Sequence, residues 1–218
     1  MIPGKVLISL SPPVRRTQAD RRATTRKALL DATIECLTAV GYAKTTTTEI
    51  SSRAGVSQGA LFKHFSTKEA LLSAAAADLC AATFPKFRHA MRSHRAGKDP
   101  IERALRGLWS VFKTAEVRVL HELYTAAPTE PALRAALVPV LRHHRENILS
   151  ESKILFPELG AIPNFETAVD FVVTAMQGAA LVLFVGEDKK REKAFLDGLG
   201  LLVRAAPMLL GVSSRSAG

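Results

Sequence analysis

The sequence predicts an all-α protein, and three observations lead to that prediction. Apolar residues recur at spacings of three and four positions through most of the 218 residues, which is the period of amphipathic helices. Ser, Thr, Asp or Asn residues that suit helix N-caps precede several of these stretches. No run of residues shows the sustained alternation of apolar and polar side chains that marks a half-buried strand.

Residues 1–21 are expected to form a mobile basic arm ahead of the first helix. They lack helical periodicity, contain three prolines and end in basic residues. From Arg22 the apolar residues fall at helical spacing as far as Val40, and Gly41 is expected to end this helix.

The segment TTTEISSRAGVSQGALFKHF, residues 46–65, ends one short helix and starts another within a few positions. Thr46 and Glu49 have the spacing of a capping box that opens the first helix. Gly55 suits a left-handed C-cap, and Ser57 suits an N-cap two residues later. Two short helices joined this tightly must cross at a steep angle, so the sequence predicts a helix-turn-helix whose second helix is presented outward.

The rest of the sequence predicts a series of further helices, several of them opened by recognisable caps. A capping box of Ser66 and Glu69 opens the first of them, and Asp99 with Pro100 opens the third. The expected helices run from Ser66 to about Leu79, through Phe84, Phe87 and Met91 to near Gly97, from Asp99 to Phe112, from Val117 to Tyr124, from Pro131 to Leu155, from Asn164 to Val185 and from Lys189 to Leu210. Pro207 is a candidate bend in the last helix.

The net charge of +10 is unevenly distributed along the chain. Residues 1–65 contain ten Lys and Arg against four Asp and Glu, whereas residues 66–218 contain twenty against sixteen. This balance favours nucleic acid or another polyanion as a partner over an acidic small substrate. A basic surface that serves only solubility is the alternative.

The two cysteines and the apolar runs indicate a cytoplasmic protein without a membrane partner. Cys36 and Cys80 both lie in apolar, helix-like surroundings, so buried free thiols are expected rather than a disulfide. The N-terminal apolar run of five residues is too short for a signal-peptide core. The most apolar later run, Ala179 to Val185, is shorter than a membrane span.

The order of these motifs resembles one known family. A first helix ending in AVGY, then TTTTEISSRAGVS, then QGALFKHFSTKEALL is similar to the N-terminal DNA-binding domain of the tetracycline-repressor (TetR) family of bacterial regulators. The resemblance covers roughly residues 22–82. The positions that match in register without a gap are Gly41, Thr46, Ile50, Ala54, Gly55, Val56, Ser57, Leu61, Phe65, Lys68, Glu69 and Leu71.

The resemblance implies two domains and a function. Residues 22–82 would be a three-helix DNA-binding domain with its helix-turn-helix at 46–65, and residues 83–218 a larger helical domain for ligand binding and dimerisation. The expected protein is a homodimer that binds double-stranded operator DNA. A dimer is expected because two-fold sites need two recognition helices and the chain offers one. The resemblance further implies a repressor that a small-molecule effector releases from its two-fold site.

The resemblance also implies which residues contact DNA. Gln58 can pair with an adenine edge, Lys63 can reach guanine or phosphate, and the small Gly59 and Ala60 allow close approach to the bases. Lys68 lies at a helix N-terminus, which suits a phosphate. The full expected set is Thr46, Thr47, Arg53, Ser57, Gln58, Gly59, Ala60, Lys63, His64 and Lys68.

Three features of this region leave alternatives open. Such proteins often have Tyr where this chain has Phe62, and Phe62 cannot bind phosphate through a hydroxyl, so Lys63 and His64 are expected to do more of that work. Arg53 either contacts phosphate or only solvates its own helix face. The basic residues Arg15, Arg16, Arg21 and Arg22 either enter the minor groove or form a plain flexible tail.

An apolar stripe in the second half predicts a ligand pocket. His121 lies within the stripe of Val117, Leu120 and Tyr124, and it is either a hydrogen-bonded core histidine or a ligand contact. Aromatic side chains on neighbouring helices either form plain core or wall a cavity. The candidate ligand-binding residues are Phe84, Phe87, Met91, Trp109, Phe112, His121 and Tyr124.

The segment from Ala168 to Val185 is apolar on nearly all sides, so more than one face must be covered. A partner subunit is expected to cover one face through the helices at about 131–155 and 165–186. The alternative is a central helix fully buried in a monomer.

No enzyme, metal site or cofactor is expected. The sequence has no G-x-S-x-G, H-E-x-x-H or glycine-rich phosphate loop, and its histidines have no metal spacing. The alternative to a DNA-binding regulator is an all-helical protein-interaction module without specific DNA binding.

Overall fold

A computed structural model describes residues 17–93, 99–161, 163–183, 185–186 and 188–209, and within these ranges the chain forms ten α-helices and no strand. The predicted all-α fold is therefore confirmed. The helices are α1 Gln18–Lys44, α2 Thr47–Arg53, α3 Gln58–His64, α4 Lys68–Ser93, α5 Pro100–Phe112, α6 Ala115–Ala126, α7 Pro131–Leu155, α8 Pro157–Gly160, α9 Phe165–Leu183 and α10 Lys189–Leu209.

Helix α1 is longer than predicted at both ends. Thr17 and Asp20 form a reciprocal capping box, so residues 18–21, expected in the arm, are helical. At the other end, Gly41 has a φ of +75° and a ψ of 174°, which places a kink inside α1 instead of ending it. Residues 1–16 of the expected arm, with Arg15 and Arg16, lie outside the described residues.

The predicted helix-turn-helix is confirmed at its turn. Of the predicted capping box of α2, only the bond to the Thr46 hydroxyl forms, because the Glu49 carboxylate is bonded to Arg53 instead. Gly55 has a φ of +68°, and the Ser57 hydroxyl accepts a hydrogen bond from the amide of Ala60 at 3.1 Å, which starts α3. Ile50 of α2 and Leu61 of α3 are fully buried in one apolar cluster. Helices α1 and α4 complete that cluster, so they form the platform on which α3 lies.

Helix α4 is continuous where two helices were predicted. It runs from Lys68 to Ser93 with Pro85 in its interior, and its N-cap is Thr67, whose hydroxyl accepts from the amide of Ala70, rather than Ser66. The expected domain boundary between residues 82 and 83 therefore lies inside a helix. Because α4 contributes to the N-terminal cluster and to the cluster behind it, it joins the two regions rigidly.

The larger helical region has two apolar clusters. One joins α4, α6 and α7 with the end of α1. The other joins α5, α6, α9 and α10 around Trp109, which is 2% exposed. Among the described residues, the predicted bounds of α7 are confirmed, and the apolar helix expected from Asn164 to Val185 is α9, Phe165–Leu183.

By length and composition alone, two helices are apolar enough to cross a membrane, Lys68–Arg92 and Phe165–Val182. Residues 179–183 of the run at Ala179 to Val185 are thus the last turns of α9, a longer apolar helix, and the expectation that the run is too short does not hold for the whole of that helix. The first of the two packs against α1, α5, α6 and α7 and is therefore a core helix of the subunit. The second has an outward apolar face, described below.

Candidate functional site

Helix α3 presents one face to the core and the opposite face to solvent. Leu61 is fully buried, whereas Gln58, Gly59 and Lys63 are exposed. Phe62, on the same outer side, is 46% exposed. This arrangement leaves the predicted reading face free for a major groove.

Thr48 of α2 holds the side chain of Gln58. The Gln58 Nε2 donates a hydrogen bond to the Thr48 hydroxyl. This bond uses the side-chain nitrogen, so the side-chain oxygen Oε1 of Gln58 remains available as an acceptor. Sequence reasoning selected Thr46 and Thr47 from the same threonine run but missed Thr48, because the contact joins residues of two helices across the turn.

Residues expected at phosphates lie at the two flanks of α3. Thr46 is the N-cap of α2 and its hydroxyl accepts from the amide of Glu49 at 3.2 Å, while Thr47 is the first residue of that helix. Lys68 is the first residue of α4, and its Nζ lies 5.1 Å from the centroid of the Tyr42 ring, a cation–π contact. The ring therefore restricts where this cation can reach.

Arg53 is paired within the protein. Its Nη2 donates to the Glu49 carboxylate at 3.1 Å and its Nη1 lies 3.9 Å from the Glu35 carboxylate, and the hydrogen bond to Glu49 is the main cause of its raised pKa. These contacts support the alternative in which Arg53 stays on its own helix surface. Ser57 caps α3, and Ala60 and His64 are half-buried at its inner edge.

Behind this region, α4 to α10 line an apolar cavity of about 380 Å³ that is partly open to solvent. Five of the seven predicted ligand-binding residues line it: Phe84, Phe87, Phe112, His121 and Tyr124. They come from α4, α5 and α6, and α7, α9 and α10 supply the remaining walls. This volume is within the range of small-molecule sites.

Two predicted pocket residues do not line the cavity. Leu105, Leu108 and Phe112 share the cavity face of α5, so Trp109 is turned away from it and packs against Phe195 of α10, with ring centroids 5.6 Å apart. Met91 instead packs on Gly107, where the missing side chain lets it approach: its Sδ would lie 3.5 Å from a Cβ placed on Gly107.

The polar groups of the cavity are held neutral or paired. Glu151 accepts a hydrogen bond from Arg88 at 2.8 Å, and Arg204 is paired with Asp99. Burial lowers the pKa of His121, which favours its uncharged form.

Two buried groups beside the cavity are also uncharged. Burial raises the pKa of Tyr124 and raises that of Cys80 to about 11, and the Cys80 sulfur lies 3.8 Å from the Tyr124 hydroxyl. Among the described residues, no three His, Cys, Asp or Glu side chains are grouped as a metal site requires.

Helix α6 connects the cavity to the N-terminal region. His121 and Tyr124 face the cavity, and Glu122 between them accepts a hydrogen bond from the backbone amide of Tyr42 at 2.9 Å. This contact joins α6 to the kinked end of α1, just before α2. The sequence analysis did not single out Glu122, because its partner Tyr42 is 80 positions away in the chain.

The outer faces of α9 and α10 form a continuous candidate apolar surface. Phe171 of α9 is 53% exposed, and Leu201 of α10 is 67% exposed. A Cβ built at Gly178 or Gly198 would meet no atom within 4 Å, so both positions face open space within the subunit. Helix α7 also exposes apolar side chains, Val138, Leu141 and Ile154, but these alternate with exposed charged residues such as Arg142 and Glu146.

Comparison with known proteins identifies the class of regulator. The profile described as "Bacterial regulatory proteins, tetR family" matches residues 29–75. An uncharacterized HTH-type transcriptional regulator of Mycobacterium tuberculosis is 31% identical over 195 residues, which is 87% of this chain and 98% of the relative. The HTH-type transcriptional regulator CymR of Pseudomonas putida is 31% identical over 133 residues, covering 61% of this chain and 66% of the relative.

Solved structures share the fold. A transcriptional regulator from Rhodococcus sp. Rha1 superposes with a TM-score of 0.63 at 21% identity, covering 84% of this chain and 96% of that one. The multidrug binding protein EbrR in complex with ethidium gives a TM-score of 0.64 at 20% identity, covering 82% and 98%. Together with the exposed α3 face and the match over residues 29–75, these relatives show that the chain belongs to the TetR family of DNA-binding bacterial transcriptional regulators.

Proposed function

We propose that this regulator is a homodimeric repressor, released from a two-fold operator when a small molecule binds in the cavity between α4 and α10. The observation that carries the proposal is the position of α6. The same helix lines the cavity through His121 and Tyr124 and holds the end of α1 through Glu122. A ligand that moves α6 would thereby alter the support of α2 and α3.

The DNA contacts of the proposal lie on α3 and at its flanks. Gln58, held by Thr48, would read a base edge, and Lys63 and Lys68 would bind phosphates. A two-fold operator needs two such helices about 34–36 Å apart, so the DNA-binding species would be a dimer.

The dimer would form through α9 and α10. The sequence analysis expected α7 with α9, and α7 does expose Val138, Leu141 and Ile154. We favour α9 with α10 because these two helices carry the exposed apolar side chains together with the open positions at Gly178 and Gly198. The alternative of a central helix fully buried in a monomer is wrong for α9, because Phe171 and Val182 are about half exposed in the subunit. Burying this surface is the natural source of dimer stability.

Ligand release is supported by the cavity and by one relative. EbrR, which shares the fold, has been solved with ethidium and with imidazole. A ligand shifts an equilibrium only when it binds the two states differently. The proposed ligand would favour the α6 position that fits the operator less well. A regulator of bacterial DNA would act in the cytoplasm.

The experiment selects a binding site from random double-stranded DNA and then measures gel retardation of that site in the presence of heparin. The expected result is a two-fold symmetric consensus, specific retardation by a dimer, and a footprint centred between two half-sites one helical turn apart. Selection without any consensus, with retardation lost to heparin, would instead support the all-helical interaction module.

A further inference from the structure

The charged groups that line the cavity are all engaged within the protein. Among the described residues, Glu151 and Arg204 are the charged residues of the lining. Each is paired with a residue outside the lining, Glu151 with Arg88 at 2.8 Å and Arg204 with Asp99. A charged ligand would have to break one of these pairs or remain unpaired in an apolar space, and both are costly.

One polar atom of the lining is different. The Nδ1 of His144, on α7, is buried and has no hydrogen-bond partner among the described residues. Its ring is held edge-on against Phe84, with centroids 5.4 Å apart and an interplanar angle of 64°. His121, in contrast, is engaged within the protein, with its ring tilted against Tyr124 at 6.4 Å.

A buried nitrogen without a partner costs free energy, and a ligand can remove that cost by supplying the missing partner. Burial, and secondarily the neighbouring His143, lower the pKa of His144, so its imidazole is neutral at neutral pH. In a neutral imidazole, Nδ1 is a donor in one tautomer and an acceptor in the other. A hydroxyl group satisfies either tautomer because it both donates and accepts, whereas a carbonyl satisfies only one.

We propose that the cavity binds an uncharged, largely apolar aromatic alcohol or phenol, and that Nδ1 of His144 binds its hydroxyl group. The aromatic preference follows from five phenylalanines that the described part of the lining contains: Phe84, Phe87, Phe112, Phe156 and Phe165. The proposal rests on the proposed function only in treating this cavity as the effector site.

The test measures binding of four probes by equilibrium dialysis at pH 7.5. The probes are 2-naphthol, its near-isostere 2-methylnaphthalene, the anion 2-naphthoate and the cation 2-naphthylmethylammonium. The uncharged pair should bind at least about tenfold more tightly than either ion, because the ions lack a free counter-charge in the lining. Equal or tighter binding of an ion would overturn the uncharged class, and so would a failure of the folded wild-type protein to bind any of the four.

The role of His144 is tested by His144→Leu with His143→Leu as the matched control. His143 is the next residue on the same helix, and its side chain is 75% exposed. The ratio of 2-naphthol to 2-methylnaphthalene affinity should fall about two- to tenfold in His144→Leu, as one neutral hydrogen bond implies. The ratio should stay at the wild-type value in His143→Leu. An unchanged ratio in His144→Leu would assign the hydroxyl to another group.

Two further measurements keep the result unambiguous. If circular dichroism shows that His144→Leu is unfolded, His144→Asn replaces it, because Asn keeps a polar side chain. The ratio of 2-naphthol to 2-methylnaphthalene affinity in His144→Asn should then lie between that of the wild type and the value expected without the hydrogen bond. Gel retardation of the selected operator is measured with each probe. Probe selectivity without release of DNA would refute ligand-controlled repression while leaving the ligand class intact; release of DNA by an ion alone would refute the ligand class.

Discussion

Replacing Gly41 with Ala should be among the most damaging single-methyl additions in the N-terminal region. At a φ of +75° and a ψ of 174°, Gly41 occupies backbone space that is essentially restricted to glycine, and a side chain there costs about 1–3 kcal/mol. The new Cβ would also lie 2.9 Å from the Glu122 carboxylate. Moving that carboxylate breaks its hydrogen bond to the Tyr42 amide, worth about 1.5–3 kcal/mol for a charged acceptor. We expect a total loss of about 3–6 kcal/mol in the free energy of unfolding.

Urea denaturation followed by circular dichroism measures this loss, and two variants separate its parts. Gly55→Ala has a similar positive φ of +68° but would place its Cβ more than 4 Å from any atom outside its neighbours, so it should cost only the left-handed strain, about 1–2 kcal/mol. In a Glu122→Ala background, Gly41→Ala should cost only its own strain, about 1–3 kcal/mol.

The double-mutant cycle decides whether the contact with Glu122 matters. Strictly additive effects of Gly41→Ala and Glu122→Ala would refute the link between α1 and α6. A cost of Gly41→Ala no larger than that of Gly55→Ala would refute it as well.

Four further predictions follow from the described contacts. Gly178→Arg should give folded monomers by sedimentation velocity and lose operator binding, because only the proposed partner lies near this position; a DNA-binding dimer would place the interface elsewhere. Lys68→Ala should weaken binding to all DNA sequences and reduce the salt slope by about one unit per subunit, and an unchanged slope would exclude a phosphate contact. Gln58→Ala should cost about 1–3 kcal/mol on the best site and change the selected base, and Thr48→Val should reproduce part of that change; equal losses on every site would exclude base reading. Burial lowers the pKa of His144, so the unfolded chain binds a proton at a higher pH than the folded chain does. The free energy of unfolding should therefore fall as the pH drops below about 6.5, and urea titrations should show a smaller fall for His144→Leu. Identical pH profiles of the two proteins would contradict a lowered pKa of His144.

Local signals predicted the DNA-binding region well. The left-handed Gly55 and the cap at Ser57 act within a few residues, so the sequence alone is sufficient to locate the turn and the exposed α3. The Thr48 to Gln58 contact could not be predicted in the same way, because it depends on how α2 and α3 cross.

Tertiary packing decided the features that the sequence missed. The sequence analysis placed two helices where α4 is one. Helix α4 remains continuous through Pro85, with residues 71–80 packed in two apolar clusters before it and Phe87 packed against the third after it. Trp109 was expected at the ligand because apolar periodicity does not distinguish a cavity wall from a solid core. The direction of the Trp109 side chain depends on its contact with Phe195 of α10, which is distant in sequence. The unpaired Nδ1 of His144 is likewise visible only once α4 and α7 are packed.

Tyr42 is the residue at which the cavity and the DNA-binding surface meet. Its backbone amide donates a hydrogen bond to Glu122 of α6. Its ring makes a cation–π contact with the ammonium group of Lys68, the proposed phosphate contact. A ligand that displaced α6 far enough to break the 2.9 Å hydrogen bond would release the end of α1 and, with it, the ring that positions this cation. One hydrogen bond to a carboxylate is worth about 1.5–3 kcal/mol, and allosteric couplings are typically about 1–3 kcal/mol, or roughly 5- to 150-fold in affinity. The contact between Glu122 and Tyr42 is therefore large enough, by itself, to account for release of DNA by a ligand, and no larger rearrangement of the helices is required by the energetics.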